Sequence, residues 1–399
     1  MKKFITLLLA AAMSAGCMMS LTGCGGNETT QEGNTQGNDK TVYVGVYEPA
    51  SGDNGAGGKQ ETLGVQYAHS QVDTVEINGE EYDVELVIVD NESSNDKAPS
   101  AAQELVSKGC SVVLGSYGSS VSIAASDIFA KGGVPAIGIT CTNPQVTEGN
   151  THYFRICFLD PFQGTVLANF AKGLGATKAY CLAKLGDDYS GGLVHYFEEA
   201  FEAAGGEVVS ETFQEGNSDF TSYITNAKNA GAQVFFAPVS TEAAALIIEQ
   251  ASSQDIGMPL MAGDTWDSNV ILNAAEGKDI DIYVTTFYQE GGNPEFDAGI
   301  KEWVNSDSKY LANNGGDDKI AAVTAMGYDA YYVALEAIKA ANSTDPAKIN
   351  EALWDVNYNG VCGNVTFNET GDANRDTAYV KKANTETAVW DFVAEQGVN

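Results

Sequence analysis

From Thr41 onward the chain alternates short β-rich runs with amphipathic runs of helical length, and this rhythm limits the fold more than any other feature. Residues 41–47 predict a strand and 59–72 a helix. Residues 76–90 predict a hairpin turning at Asn78-Gly79, with 84–89 as its inner strand. Helices over 99–108 and 121–131 then alternate with strands over 111–115 and 134–139. The rhythm restarts after Pro161. Helices are predicted over 162–174, 191–204, 220–230 and 243–252, and strands over 178–185, 208–213, 234–239, 260–263 and 281–287. Helical stretches over 295–303, 321–340 and 346–354 follow, the last capped by Asp345 with Pro346 in its first position. The tail, 361–392, is β-rich. Repeated strand–helix units build parallel sheets covered by helices. A body of this length exceeds one ordinary domain, so two similar α/β lobes in tandem are expected.

The N-terminus predicts export. Met1-Lys2-Lys3 is a basic head and 4–15 an almost unbroken apolar run, the layout of a secretory signal peptide. The run is shorter than the roughly 20 apolar residues of a membrane-spanning helix. The segment as a whole ends in Leu21-Thr22-Gly23-Cys24, which resembles the lipobox of bacterial lipoproteins. That resemblance implies a signal peptide over 1–23, removed before a diacylated Cys24. Two acyl chains anchor a protein stably where one is marginal. Residues 25–40 hold no apolar side chain large enough to pack, so 24–40 reads as a lipidated cysteine and flexible tether.

Composition excludes more than it assigns. The net charge is −33, and loss of Lys2 and Lys3 takes it to about −35. Such a surface repels phosphate backbones, so no nucleic-acid partner is expected. Of seven cysteines, Cys17 leaves with the signal and Cys24 is lipidated. The remaining five, Cys110, Cys141, Cys157, Cys181 and Cys362, form no CxxC pair and no zinc-type spacing. Strand-like flanks mark Cys110, Cys157 and Cys181 as small core hydrophobes. The three histidines, His69, His152 and His195, lack metal-ligand spacing, and neither HExxH nor GxSxG occurs. The run 52–59 is not in frame for a phosphate loop, and Gln60 follows its lysine. It reads as a mobile glycine-rich loop. No enzyme, cofactor or metal is expected.

In open α/β sheets, ligands bind beyond the carboxyl ends of the strands. Four such ends carry informative residues. Gly115 to Ser120 joins a strand to a helix, and its serines either meet an anion or cap the helix. Thr140-Cys141-Thr142-Asn143-Pro144 offers hydroxyls, or simply makes a Thr-Asn-Pro turn. Gly186 to Ser190 enters a helix, where Tyr189 either covers a ligand or packs locally. Gly263-Asp264-Thr265-Trp266 offers a carboxylate for a cation or a cap, and an indole for a pocket or the core.

Taken together, these segments resemble the leucine–isoleucine–valine-binding protein family, type I periplasmic binding proteins that serve ABC importers. The similarity runs through the first strand and its glycine-rich loop, the Asn78-Gly79 hairpin, GSYGSSVSIAAS from Gly115, Thr142-Asn143-Pro144, Tyr189 before a glycine pair, and the turn at Asp264. It implies two lobes and a three-stranded hinge. Lobe 1 comprises 41–159 and 288–360, and lobe 2 comprises 160–287 and 361–399. It implies an amino-acid ligand, with the branched-chain or another apolar type foremost. Ser119 and Thr142 would bind its α-carboxylate, with backbone contacts from Cys141. Asp264 would accept the α-ammonium and Tyr189 would cover it. Tyr117 and Trp266 are placed near its side chain by proximity alone. The partner implied is a membrane permease that recognises the closed form. An amide, urea or aromatic acid is the alternative cargo. A sensory module is the alternative role, less favoured because no membrane span or signalling domain follows the body in this sequence.

The chain departs from the family at three places. Asp264 stands where Glu is usual, Val239-Ser240 replaces a second cleft aromatic, and Gly118 stands where some members carry a disulfide cysteine. For the anchor, Cys24→Ser should abolish acyl labelling and release the protein from membranes. Persistent labelling of that variant would contradict the lipobox reading.

Overall fold

The structure is a computed structural model that describes residues 40–397. The expected signal peptide, Cys24 and all of the tether before Lys40 lie outside the described residues.

Two sheets organise the body. The first is built from β1 (Thr41–Glu48), β2 (Thr74–Ile77), β3 (Glu80–Asp90), β4 (Val112–Leu114), β5 (Ala136–Gly138) and β6 (Tyr153–Arg155). Their order across the sheet is β2-β3-β1-β4-β5-β6, parallel except for the β2–β3 hairpin. The second contains β7 (Lys178–Lys184), β8 (Glu207–Phe213), β9 (Val234–Phe236), β10 (Leu260–Ala262) and β11 (Ile282–Thr286). After the small β12 (Asn357–Gly360) and β13 (Gly363–Thr366) ribbon, β14 (Ala378–Asn384) and β15 (Val389–Gln396) complete it. Its order is β15-β14-β11-β10-β9-β7-β8, with only the β11–β14 and β14–β15 pairings antiparallel. The tandem α/β lobes expected from the strand–helix rhythm are therefore present.

Helices cover both faces of each sheet, because strands such as VYVGVY are apolar on both sides. In chain order they are α1 (Gly55–Gln71), α2 (Ala98–Ser107), α3 (Ser119–Gly132), α4 (Asp160–Gly173), α5 (Asp188–Ala203), α6 (Thr221–Ala230), α7 (Thr241–Ser253), α8 (Asn269–Ala275), α9 (Pro294–Asn305), α10 (Ser308–Asn313), α11 (Ala322–Ala341) and α12 (Pro346–Leu353). One hydrophobic core runs from the α1/α11 face of the first sheet to the α4/α5 face of the second. Separate cores fill the other two faces. Phe158 and Phe287, on two neighbouring passages between the sheets, pack with ring centroids 4.2 Å apart.

Two features differ from the sequence expectation. Gly55, Gly57 and Gly58 are not a loop but the first turn of α1, and they are buried. A Cβ on Gly57 would lie 2.3 Å from the Tyr117 ring, and one on Gly58 would lie 2.2 Å from the Pro49 carbonyl oxygen. These glycines let the helix start press against the sheet edge, which propensity alone does not reveal. Also, the segment after β13 stays against β6. Arg155 N–H donates to Gly371 O, and Ala373 N–H donates to Arg155 O. The chain joins the second sheet only at β14, later than the Gly360-Val361 passage read from the sequence.

Among the described residues, no helix is long and apolar enough to cross a membrane. Nor does any group of three or more His, Cys, Asp or Glu side chains stand where it could hold a metal ion.

Candidate functional site

The strand orders place the site. In the first sheet the chain steps outward on both sides of the β1–β4 pair, and in the second on both sides of the β7–β9 pair. Crevices open at the carboxyl ends of strands at such switch points. A cleft of about 390 Å³ lies there, lined by residues that end or follow β1 and β4 (Pro49, Tyr117, Gly118) and β7 and β9 (Lys184, Leu185, Ser240).

The edges of the lobes meet across this cleft through direct hydrogen bonds. Tyr117 Oη donates to Thr265 O at 3.0 Å. Asn143 Nδ2 donates to Asp188 O at 2.7 Å, and Asp188 N–H donates to Ser120 Oγ at 2.8 Å. Lys184 pairs with Asp53 at 2.7 Å. Gln60 donates to Asn269 Oδ1 and accepts from Ser268 Oγ.

Of the residues singled out in the sequence, Tyr117 and Tyr189 line the cleft floor, together with Thr265. Ser119, Cys141, Thr142 and Asp264 are buried and are not among the residues that line the cleft. Tyr189, in the first turn of α5, donates its hydroxyl to Asp264 Oδ1 at 3.0 Å. Gln163 Nε2 donates to the same oxygen at 3.0 Å. Gly263 makes this approach possible, since a Cβ there would stand 2.5 Å from Tyr189 Oη. Asp264 Oδ2 is buried and has no hydrogen-bond partner.

On the facing edge, Ser119 opens α3 without capping it, and its hydroxyl accepts from Asn143 N–H at 3.2 Å. Thr142 Oγ1 is buried and unpartnered. Asn143 does make the turn expected of it, accepting from Gln145 N–H. Trp266 sits apart from these residues. Its ring belongs to the core under the outer helices of the second sheet, and its indole N–H donates to Val239 O at 3.0 Å.

Two buried ion pairs hold the loops in place, and both use the C-terminal tail. Arg155 binds Asp372 and donates Nη1 to the carbonyls of Cys141 and Asn143. Lys381 binds Asp267 at 2.9 Å, and Thr286 Oγ1 donates to the same carboxylate, fixing the turn that carries Asp264. Removing one partner of such a pair would strand a buried charge.

Five further buried polar residues converge here. Only Thr140 lies in one of the four strand-end segments singled out in the sequence. Glu48 ends β1, Glu61 lies on α1, and Asp160 and Gln163 lie in the first turn of α4. One oxygen each of Glu48, Glu61 and Gln163, and both of Asp160, have no partner. Their sequence signal is a polar residue in an apolar stripe. Glu61 shares its helix face with Gly57, Gly64, Val65 and Ala68, all buried.

Burial raises these carboxyls. It lifts Asp264 from an ordinary 3.8 to about 6, against the opposing hydrogen bonds from Gln163 and Tyr189. Asp160 rises to about 8, chiefly through burial. Glu48 and Glu61 are both pushed up by burial, and the proximity of the two carboxyls raises Glu48 further.

Comparison with known proteins places this arrangement among two-lobe solute-binding proteins. Residues 41–387 match the model of the periplasmic binding protein family, and the chain belongs to that family. A Leu/Ile/Val-binding protein homolog of Brucella abortus is 30% identical over 337 residues, 83% of this chain and 87% of its own. A leucine-binding protein structure from Thermotoga maritima is 32% identical with a TM-score of 0.77, covering 89% of this chain and 99% of that one. The substrate-binding protein of a Streptococcus pneumoniae branched-chain amino acid transporter, solved with isoleucine, is 25% identical with a TM-score of 0.76, covering 90% and 99%. The family is extracytoplasmic and its members bind solutes rather than transform them. This chain is a solute-binding protein, not an enzyme.

The raised carboxyls predict a pH dependence. An acid whose folded pKa is raised contributes stability below its unfolded pKa, and that contribution is lost as pH rises through the folded value. For Asp264 and Asp160 the loss runs from about pH 4 through about 6 and about 8 respectively. Carboxylates held low, such as Asp90, contribute stability that is lost only as pH falls below the ordinary carboxylate range, so they do not offset it. The melting temperature of the unliganded protein, followed by circular dichroism, should fall from pH 5 to pH 9. A flat or rising profile would contradict the assigned burial.

Proposed function

We propose that this protein is the ligand-capturing subunit of an ABC importer and closes its lobes on a free amino acid. The observation that carries the reading is a pair of buried atoms without hydrogen-bond partners, Asp264 Oδ2 after β10 and Thr142 Oγ1 after β5. A zwitterion leaving water needs charge-assisted partners at both ends. Asp264 receives the α-ammonium. Ser119 and Thr142, with the backbone at Cys141, receive the α-carboxylate, and Tyr189 covers the ligand while orienting Asp264 through its hydroxyl. Tyr117 closes the floor by reaching Thr265.

Lobe 1 comprises 41–159 and 288–360, and the remainder of the body moves with lobe 2, except that 361–375 stays with β6. The ligand completes the contacts between lobes and so selects the closed state. A permease reads that state, while a lipid on Cys24 keeps the protein at the outer face of the membrane. Leucine and isoleucine, bound by relatives, are the first ligands to try.

A thermal-shift screen of the purified protein against amino acids, amides, urea and aromatic acids tests the ligand class. An amino acid should raise the melting temperature by mass action. Asp264→Ala should then weaken its binding by about a hundredfold or more in calorimetry, since stranding a buried ammonium costs about 3–5 kcal/mol. Affinity retained by a folded Asp264→Ala variant would remove the role given to that carboxylate.

A further inference from the structure

Glu48 and Glu61 are not needed to hold the α-groups of an amino acid, yet both are buried at the ligand-facing edge of the first lobe. Glu48 Oε2 accepts from Tyr117 N–H at 2.8 Å, and Glu61 Oε2 accepts from Thr140 Oγ1 at 2.6 Å. Their second oxygens, both Oε1, have no donor. Glu61 also lies close enough to Asp264 for the two charges to repel, so acids from both lobes converge.

Nothing cationic answers them. Among the described residues, no salt bridge reaches Glu48, Glu61, Asp160 or Asp264. Arg155 and Lys381, the nearby buried cations, are committed to Asp372 and Asp267. Five carboxylates (Asp53, Glu92, Asp96, Asp187 and Glu215) line the outer cleft beside a single lysine, Lys184, itself paired with Asp53. A mouth of that sign concentrates cations. A hydrocarbon side chain against Glu48 and Glu61 would leave both free oxygens without a hydrogen bond, at a cost a binding site avoids.

We infer that the ligand carries a second cationic group, as in a diamino acid or arginine, which the Glu48–Glu61 pair receives while Asp264 holds the α-ammonium. The inference rests on the amino-acid reading above for the position of the α-groups, but not for the role of the pair.

Calorimetry on the purified protein with L-lysine, L-ornithine, L-arginine, L-leucine, 1,4-diaminobutane and benzoate separates the two. A basic amino acid should bind at least about tenfold more tightly than leucine. E48Q and E61Q should each narrow that ratio, while circular dichroism confirms that they fold. Binding of the diamine without any amino acid would support the cationic site and overturn the amino-acid reading. Preference for leucine or benzoate, a ratio unmoved in both variants, or no binding by any of the six would overturn the inference.

Discussion

A polar atom taken out of water needs a partner, and the gap between the two lobes breaks that rule at one place. Oxygens of Glu48, Glu61, Thr142, Asp160, Gln163 and Asp264 are buried there without donors or acceptors. Each such atom costs on the order of 1–3 kcal/mol, more where a charge is involved. A fold retains that cost where function repays it. Two parallel sheets aim their carboxyl ends at one gap, so the groups that end β1, β4, β5 and β10 converge there from opposite sides.

The rest of the structure positions those groups. Glycines at 57, 58 and 263 remove the side chains that would keep α1 and Tyr189 at a distance. The C-terminal tail contributes Asp372 to one site loop and Lys381 to the other, so one stretch of chain pins a loop in each lobe. These buried pairs use up the local cations. Among the described residues, the buried acids of the gap are left without an ion-pair partner.

Much of this was readable from the chain. Period and turn residues identified most strands and helices because buried parallel strands and amphipathic helices leave strong patterns. The three-residue β6 escaped notice because YFR is too short to show a period. The glycine run was misread because its meaning lies in distant partners, Pro49 and Tyr117. Strand-end reasoning pointed to the segments that hold Ser119, Thr142, Tyr189 and Asp264 but left a cap, turn or packing role open at each, and only the family resemblance gave them ligand roles; the Trp266 ring lies in the core. Strand-end reasoning passed over Glu48, Glu61, Asp160 and Gln163. Their signal is a single polar residue on an apolar face, visible once helix and strand faces are drawn but assigned to no motif.

The central claim is that the unpartnered atoms in the gap are the ligand's partners. A crystal structure of the protein with the amino acid that most raises its melting temperature tests this directly. The account predicts the ligand's α-nitrogen within about 3 Å of Asp264 Oδ2 and its carboxylate within hydrogen-bond reach of Thr142 Oγ1. A ligand seated in the outer cleft, with Asp264 Oδ2 and Thr142 Oγ1 still lacking partners, would contradict it.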